Sequence, residues 1–284
     1  MECKQIMKKA SKAFSNITEE EYLAQYSLQD YPTYAITADT VLFSLVSKED
    51  DNYRKDPELN LSVLLVHRKA HPQRGLLAVP GGFLRPDETI AQCAMREIKE
   101  ETGAVPELVV PAGVFSGVKR DPRGRIISNV FMSVYPAGEK LISGGDAEDA
   151  GWYTVKLENM GEGFLLELCS PDRVASANLI YAKESPDRHL KTEKSSGLAF
   201  DHAEIIATAV LELRRHVLDF DWLFRFLPEK FTLNSLQQVY EAVIGEKVLT
   251  ANFRRKISEY VQETEEFVTG LGHRPARLFI KRSQ

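Results

Sequence analysis

Cysteine, tryptophan and long apolar runs are all scarce in this chain. Three cysteines among 284 residues, Cys3, Cys93 and Cys169, are odd in number and scattered, which excludes a disulfide framework and a CxxC-type zinc site. They read as reduced thiols. No apolar run approaches the roughly 18 residues of a membrane span, and the opening MECKQIMKKASKAF has no apolar signal core. The expectation is a cytoplasmic protein with no membrane partner. Positive charge is not in excess either: 36 Lys and Arg against 41 Asp and Glu give a net charge of −5. That excludes a protein coating nucleic acid along its whole length, while leaving room for one basic subdomain. Internal repeats are absent, which excludes a solenoid.

What is present is an ordinary globular composition, 43% hydrophobic and 27% charged, on a chain long enough for about two domains at roughly 100 to 200 residues each. Residues 1–35 form an N-terminal extension with a short helical pattern at Glu19 to Tyr26, ended by Pro32. From Ile36 β-branched and aliphatic runs predict two strands joined by the polar loop SKEDDNYRKDPELN. More strands are predicted at Val109 to Val118, Ile126 to Pro136 and Gly151 to Val155, and a helix from Glu88 to Thr102. Residues 160–199 read as an insertion, with a hairpin and the polar loop KESPDRHLKTEKSSG. A helix from Asp201 to about Val217, apolar at Ile205, Ile206, Ala209, Val210 and Leu213, closes the first domain, 36–218. The second, 219–284, reads as helix, turn, helix and β-ribbon. Thr232 or Asn234 is placed to cap the first helix, Gly245 to end it, and Thr250 to cap the second.

The chemistry concentrates in PGGFLRPDETIAQCAMREIKEETGA, residues 80–104. Glu97, Glu100 and Glu101 stand at i, i+3 and i+4, so their carboxylates share one side of a helix, at the edge of the face formed by Ile90, Ala91, Ala94, Met95 and Ile98. Three like charges in a last turn, where the helix dipole is already negative, call for a cation. Clustered hard oxygens are what Mg2+ or Mn2+ binds. Arg96 is placed to orient Glu97 or Glu88. Cys93, a poor ligand for such ions, reads as a packing residue.

The full spacing resembles the Nudix box, G-x5-E-x7-R-E-U-x-E-E-x-G-U with U aliphatic, through Gly82, Glu88, Arg96, Glu97, Ile98, Glu100, Glu101, Gly103 and the small Ala104. Seven fixed positions would coincide by chance on the order of once per million sequences. The resemblance implies an α/β fold, a Nudix α/β/α sandwich with a mixed sheet, and hydrolysis of a diphosphate. Glu97, Glu100, Glu101 and the Gly82 carbonyl would ligate metal, and Glu88 and Arg96 would pair to hold the loop. All five charged residues are then candidate catalytic residues. Metals clamp phosphate oxygens so that a water can attack phosphorus, and Asp146, Glu148 and Asp149 are candidate general bases.

After the box, Arg120, Asp121, Pro122, Arg123, Gly124 and Arg125 sit between two strands, where guanidinium groups can grip phosphate, or else form a turn of solvated charges. With the box, RDPRG resembles the ADP-ribose-binding Nudix proteins, including Nudix-related transcriptional regulators of NAD metabolism. Arg68, Arg120, Asp121 and Arg123 become candidate substrate contacts. LAFDHAEIIATAVLELR, FTLNSLQQVYEAVIGEKVLTANFRRKI and GHRPARLFI are similar to the linker helix and winged helix of those regulators. Asn252, Arg254, Arg255 and Lys256 lie on the second helix, the groove-entering element of such motifs, and Arg274 and Arg277 on the wing. From Asp219 onward 10 Lys and Arg face 9 Asp and Glu, so polarity favours DNA only mildly, and a packing or dimerisation module is the alternative. The reading is a metal-dependent hydrolase of ADP-ribose or a related nucleoside diphosphate derivative, homodimeric, with duplex DNA as a further partner. Its rival is an ADP-ribose-responsive regulator whose Nudix domain is mainly a sensor.

Overall fold

A computed structural model describes residues 17–47, 59–136, 150–182, 189–217, 221–268 and 275–282. The chain divides into two units, residues 1–34 and 35–284. In the first, helix α1 (Glu19–Gln25) starts with a capping box in which Thr18 and Glu21 satisfy each other's backbone N–H groups. It buries no residue. Tyr22, Tyr26 and Tyr31 stack in succession along its exit.

The second unit is built on a ten-stranded mixed sheet of β1 (Ala35–Ser47), β2 (Leu59–His67), β3 (Leu77–Ala78), β4 (Gly81–Phe83), β5 (Val110–Phe115), β6 (Ile126–Val134), β7 (Ala150–Asn159), β8 (Gly163–Cys169), β9 (Val174–Tyr181) and β10 (Leu190–Ser196). The main path runs β10-β9-β8-β7-β2-β1-β6-β5, with β3 paired to β2 and β4 to β1. Among the described strand pairs β1 and β6 run parallel, and their register sets Asp39 beside Val130. β1 is buried almost without interruption from Thr37 to Leu45 because helices cover both its faces. One face sends Ala38 and Leu42 against Cys93, Ala94 and Ile98 of helix α2 (Ile90–Thr102). From the other, Val41, Phe43 and Leu45 join Ile205, Ile206, Ala209, Val210 and Leu213 of helix α3 (His202–His216). This is the expected α/β/α sandwich, and Cys93 packs in it as read.

Helix α2 begins later than its hydrophobic pattern suggests. Thr89 caps it in a box with Gln92, and Gly103, at φ +72°, ends it. Glu88 therefore belongs to the preceding loop, free to turn back toward the helix side.

The reading of 160–199 needs correction. β8 and β9 form the predicted hairpin, but they continue the main sheet from β7, and a third strand, β10, lies in the stretch expected to be loop. KTEKSS escapes a hydrophobicity reading because β10 is an edge strand, which buries Leu190 and exposes polar side chains. β7 is likewise longer than expected, since β8 pairs with it as far as Asn159.

The C-terminal segment packs helices α4 (Asp221–Phe224), α5 (Leu233–Ile244) and α6 (Thr250–Ile257) with the antiparallel ribbon β11 (Val261–Val268) and β12 (Ala276–Lys281). Thr232 caps α5, and Gly245, at φ +79°, ends it. Thr250 does not cap α6: Leu249 holds that position, without a side-chain bond. Leu223, Phe226, Leu236, Val239, Phe253 and Ile257 belong to the same apolar cluster as α3 and the sheet. Among the described residues no helix is long and apolar enough to cross a membrane.

Candidate functional site

β4, the loop after it and α2 bring the acidic side chains to one edge of the sheet. Arg96 is their hub. It donates to Glu88 Oε2 at 2.9 Å and Oε1 at 2.7 Å, to Glu100 Oε2 at 3.1 Å, to the Phe83 carbonyl at 3.1 Å, and to Glu97. Paired this way, the Glu88 carboxyl is held down at about 2. The cation demanded by the crowded carboxylates is supplied here from within the chain, with Arg85 adding a contact to Glu100 at 3.4 Å. Gly82 has no room for a side chain because the Glu97 carboxylate lies against it.

Glu101 is different. It is half-buried, accepts the Gly81 N–H at 3.0 Å, and is pushed up to about 7 by burial and by repulsion from Glu97 and Asp39. Asp39, absent from the sequence reading, is buried on β1 and accepts a hydrogen bond from the Ser128 hydroxyl. Asp39, Glu97 and Glu101 all line a cleft of about 680 Å3, a volume in the range of small-ligand sites.

By donor type, the Glu97, Glu100 and Glu101 carboxylates and the Gly82 carbonyl fit a hard divalent cation. Arg96 contacts one oxygen each of Glu97 and Glu100, and the Cys93 thiol lies 3.7 Å from the Gly82 carbonyl. Among the described residues no three acidic, histidine or cysteine side chains converge on one point.

Basic groups line the same cleft. Arg68, at the end of β2, lies over the ring of Phe200 at 4.7 Å, and Arg123 lies 5.8 Å from the same ring and 5.4 Å from that of Phe83. Such contacts contribute about 0.5 to 1 kcal/mol each where exposed. Arg68 donates to the Pro72 carbonyl, and its pKa is lowered by burial and then by Arg123. Asp121 accepts from the backbone N–H of Arg123 at 2.9 Å and from its guanidinium at 2.7 Å, closing the RDPRG turn on itself. Arg120 lines the cleft, but its guanidinium forms a nearly buried, two-bond pair with Asp201, both at 2.7 Å. Asp201 precedes α3 and makes no side-chain capping bond. Its charge still faces the positive end of the helix, which favours it there.

Several lining residues carried no sequence signal of their own. His202 is buried, accepts the Val79 N–H at Nδ1 (3.0 Å), and burial lowers its pKa. His67 meets Arg173 at 3.0 Å and Tyr153 at 3.4 Å, so the β8–β9 turn reaches the cleft's rim. Phe200 sits in the left-handed region at φ +45°.

The candidate DNA contacts lie elsewhere. Asn252, Arg254, Arg255 and Lys256 are exposed on α6, with Lys256 donating to the Tyr240 hydroxyl at 3.2 Å. On the ribbon, Arg277 pairs with Glu263 and stacks over Phe267. Arg274, Asp146, Glu148 and Asp149 lie outside the described residues.

Comparison with known proteins bears on the family and the fold. A NUDIX domain model matches residues 50–163, and an NrtR DNA-binding winged helix domain model matches residues 223–280. The chain is 27% identical to an ADPR responsive transcriptional repressor of Acinetobacter baylyi, over 92% of this chain and 88% of the relative. It is 37% identical to an ADP-ribose pyrophosphatase of Methanocaldococcus jannaschii, over 48% of this chain and 70% of that protein. Among solved structures, a MutT/nudix family protein from Enterococcus faecalis superposes with a TM-score of 0.71 at 27% identity, covering 94% of this chain and 95% of the other. Shewanella oneidensis NrtR in complex with a 27mer DNA does so with a TM-score of 0.57 at 25% identity, covering 87% and 93%.

Proposed function

From the premise that the chain belongs to the Nudix family, we propose that it is an ADP-ribose-responsive DNA-binding regulator whose Nudix cleft binds the ligand and whose winged helix binds the operator. The observation that carries this reading is helix α3. It starts at the cleft with Asp201 and His202 and ends against the winged helix, where Arg214 donates to the Val243 carbonyl of α5 at 3.1 Å and to the Leu157 carbonyl of β7 at 3.2 Å. One helix therefore touches both the cleft and the winged-helix segment. The Acinetobacter repressor, matched over most of both chains, supports the same pairing of functions.

In this proposal Arg68 and Arg123 meet the ligand's diphosphate, Asp121 fixes Arg123, and Arg120 holds the cleft to the start of α3. Asn252, Arg254, Arg255, Arg274 and Arg277 contact DNA, with Lys256 beside them. A homodimer would present two α6 helices to half-sites about one helical turn apart. The functional boundary falls near residue 219. Calorimetric titration of the full chain with ADP-ribose tests the ligand assignment: saturable binding is expected, and its absence overturns it.

A second reading, hydrolysis, is favoured by the box itself, since every charged position is present and the Methanocaldococcus relative is a pyrophosphatase. Glu97, Glu100, Glu101 and the Gly82 carbonyl would hold Mg2+ or Mn2+. The ion would neutralise diphosphate oxygens and lower the pKa of a bound water. Arg96, itself paired with Glu88, sets the positions of Glu97 and Glu100 and contacts one oxygen of each carboxylate. Turnover of a panel of nucleoside diphosphate derivatives with and without Mg2+ decides this: metal-dependent cleavage makes the protein enzyme as well as sensor, and no cleavage of any leaves it a sensor.

A further inference from the structure

Two non-glycine residues of the described chain have positive φ, Gln73 at +60° and Phe200 at +45°, and they hold each other: the Phe200 N–H donates to Gln73 Oε1 at 2.5 Å. Such backbone conformations are costly for bulky side chains and persist only where neighbours enforce them. The result is an aromatic ring presented to the cleft at the start of α3. Around that ring stand two cations, Arg68 at 4.7 Å and Arg123 at 5.8 Å from its centre. Like charges so placed repel each other; Asp121 and Asp39 offset part of that repulsion, and the face of the Phe200 ring, the one ring near both guanidinium groups among the described contacts, adds attraction to each. Both guanidinium groups are also anchored from behind, Arg68 by the Pro72 carbonyl and Arg123 by Asp121.

We propose that Phe200 is a positioning residue, whose ring holds the guanidinium groups of Arg68 and Arg123 together so that they meet a diphosphate as one preformed anion clamp. This rests on the reading of the cleft as a nucleoside diphosphate site. A purely packing role for Phe200 would make any apolar side chain of similar volume acceptable; a cation-holding role demands a ring.

The test compares Phe200→Leu with Phe200→Tyr in the full chain by two measurements. In ligand-free protein, NMR of the arginine Nε–H signals should show Arg68 and Arg123 displaced by the ring current, a displacement lost in the leucine variant and kept in the tyrosine variant. In calorimetry the leucine variant should bind ADP-ribose about tenfold more weakly, as loss of two cation–π contacts implies, with tyrosine within about twofold of wild type. Identical Nε–H signals in wild type and the leucine variant, or equal affinities in all three proteins, overturn the proposal. If the signals behave as expected but ADP-ribose binds none of the proteins, the positioning role stands and the ligand assignment fails.

Discussion

Arg120 and Arg123 occupy the same turn, and the fold has given them different work. The Arg120 side chain is only 8% exposed and is locked to Asp201 by two bonds, so Arg120→Ala leaves a buried carboxylate without its partner. Breaking such a pair costs about 3 kcal/mol or more, and the melting temperature should drop by several degrees. Arg123 is 42% exposed, and the Asp121 carboxylate it pairs with keeps the Arg123 backbone N–H as a partner, so its loss should cost less stability than Arg120→Ala while weakening ADP-ribose binding about tenfold or more. Thermal melts and calorimetry on the two single variants check both halves; the reverse ranking of stabilities would refute this division. Sequence made both arginines equally plausible ligand contacts, because the discriminating group, Asp201, lies 81 positions away. Phe200, His202 and Asp39 were illegible for a related reason: none belongs to a local spacing pattern, and only the fold brings them to the cleft.

At the level of elements, what repeats locally was legible. Helix α2 with its carboxylates, the apolar stripe of α3, the glycine that ends α5 and the ribbon all follow from spacing along a few turns. β10 was not, since its pairing with β9 satisfies the backbone while its side chains stay polar and wet. α3 is tied to β10 through Glu204, which accepts the Thr192 N–H at 2.8 Å and whose pKa is raised by burial. A carboxyl raised in the folded state contributes stability that is fully present below its ordinary value near 4.5 and is lost as pH rises through the folded value. Glu204→Gln keeps an acceptor for Thr192 without the charge. The variant's melting temperature relative to wild type should therefore climb as pH is raised from 4 toward 8. A difference that is flat across that range would mean the burial of Glu204 carries no ionisation cost.

For the whole molecule, the proposed coupling between cleft and winged helix would run through contacts that hold α5 to α3 and the sheet. Arg214 is the polar one, bridging β7 and the C-terminal end of α5, where a positive charge also suits the helix dipole. Arg214→Ala should lower stability in denaturant by about 2 kcal/mol, from loss of charged hydrogen bonds. It should also reduce the effect of ADP-ribose on DNA affinity more than it reduces either affinity alone. Equal coupling in the variant would place the connection elsewhere. On α6, Arg254→Ala with Arg255→Ala should abolish DNA binding and spare ADP-ribose binding, a separation visible by running anisotropy and calorimetry on one preparation.

ADP-ribose control of DNA binding is tested most directly by fluorescence anisotropy of the full chain against duplex DNA from its own genomic neighbourhood, titrated with and without saturating ADP-ribose. A sequence-preferring, salt-dependent complex is predicted, with a Kd that changes about tenfold when ADP-ribose is added and a reciprocal change in ADP-ribose affinity when DNA is present. A DNA affinity unchanged by ADP-ribose, in a protein that binds both, would contradict it.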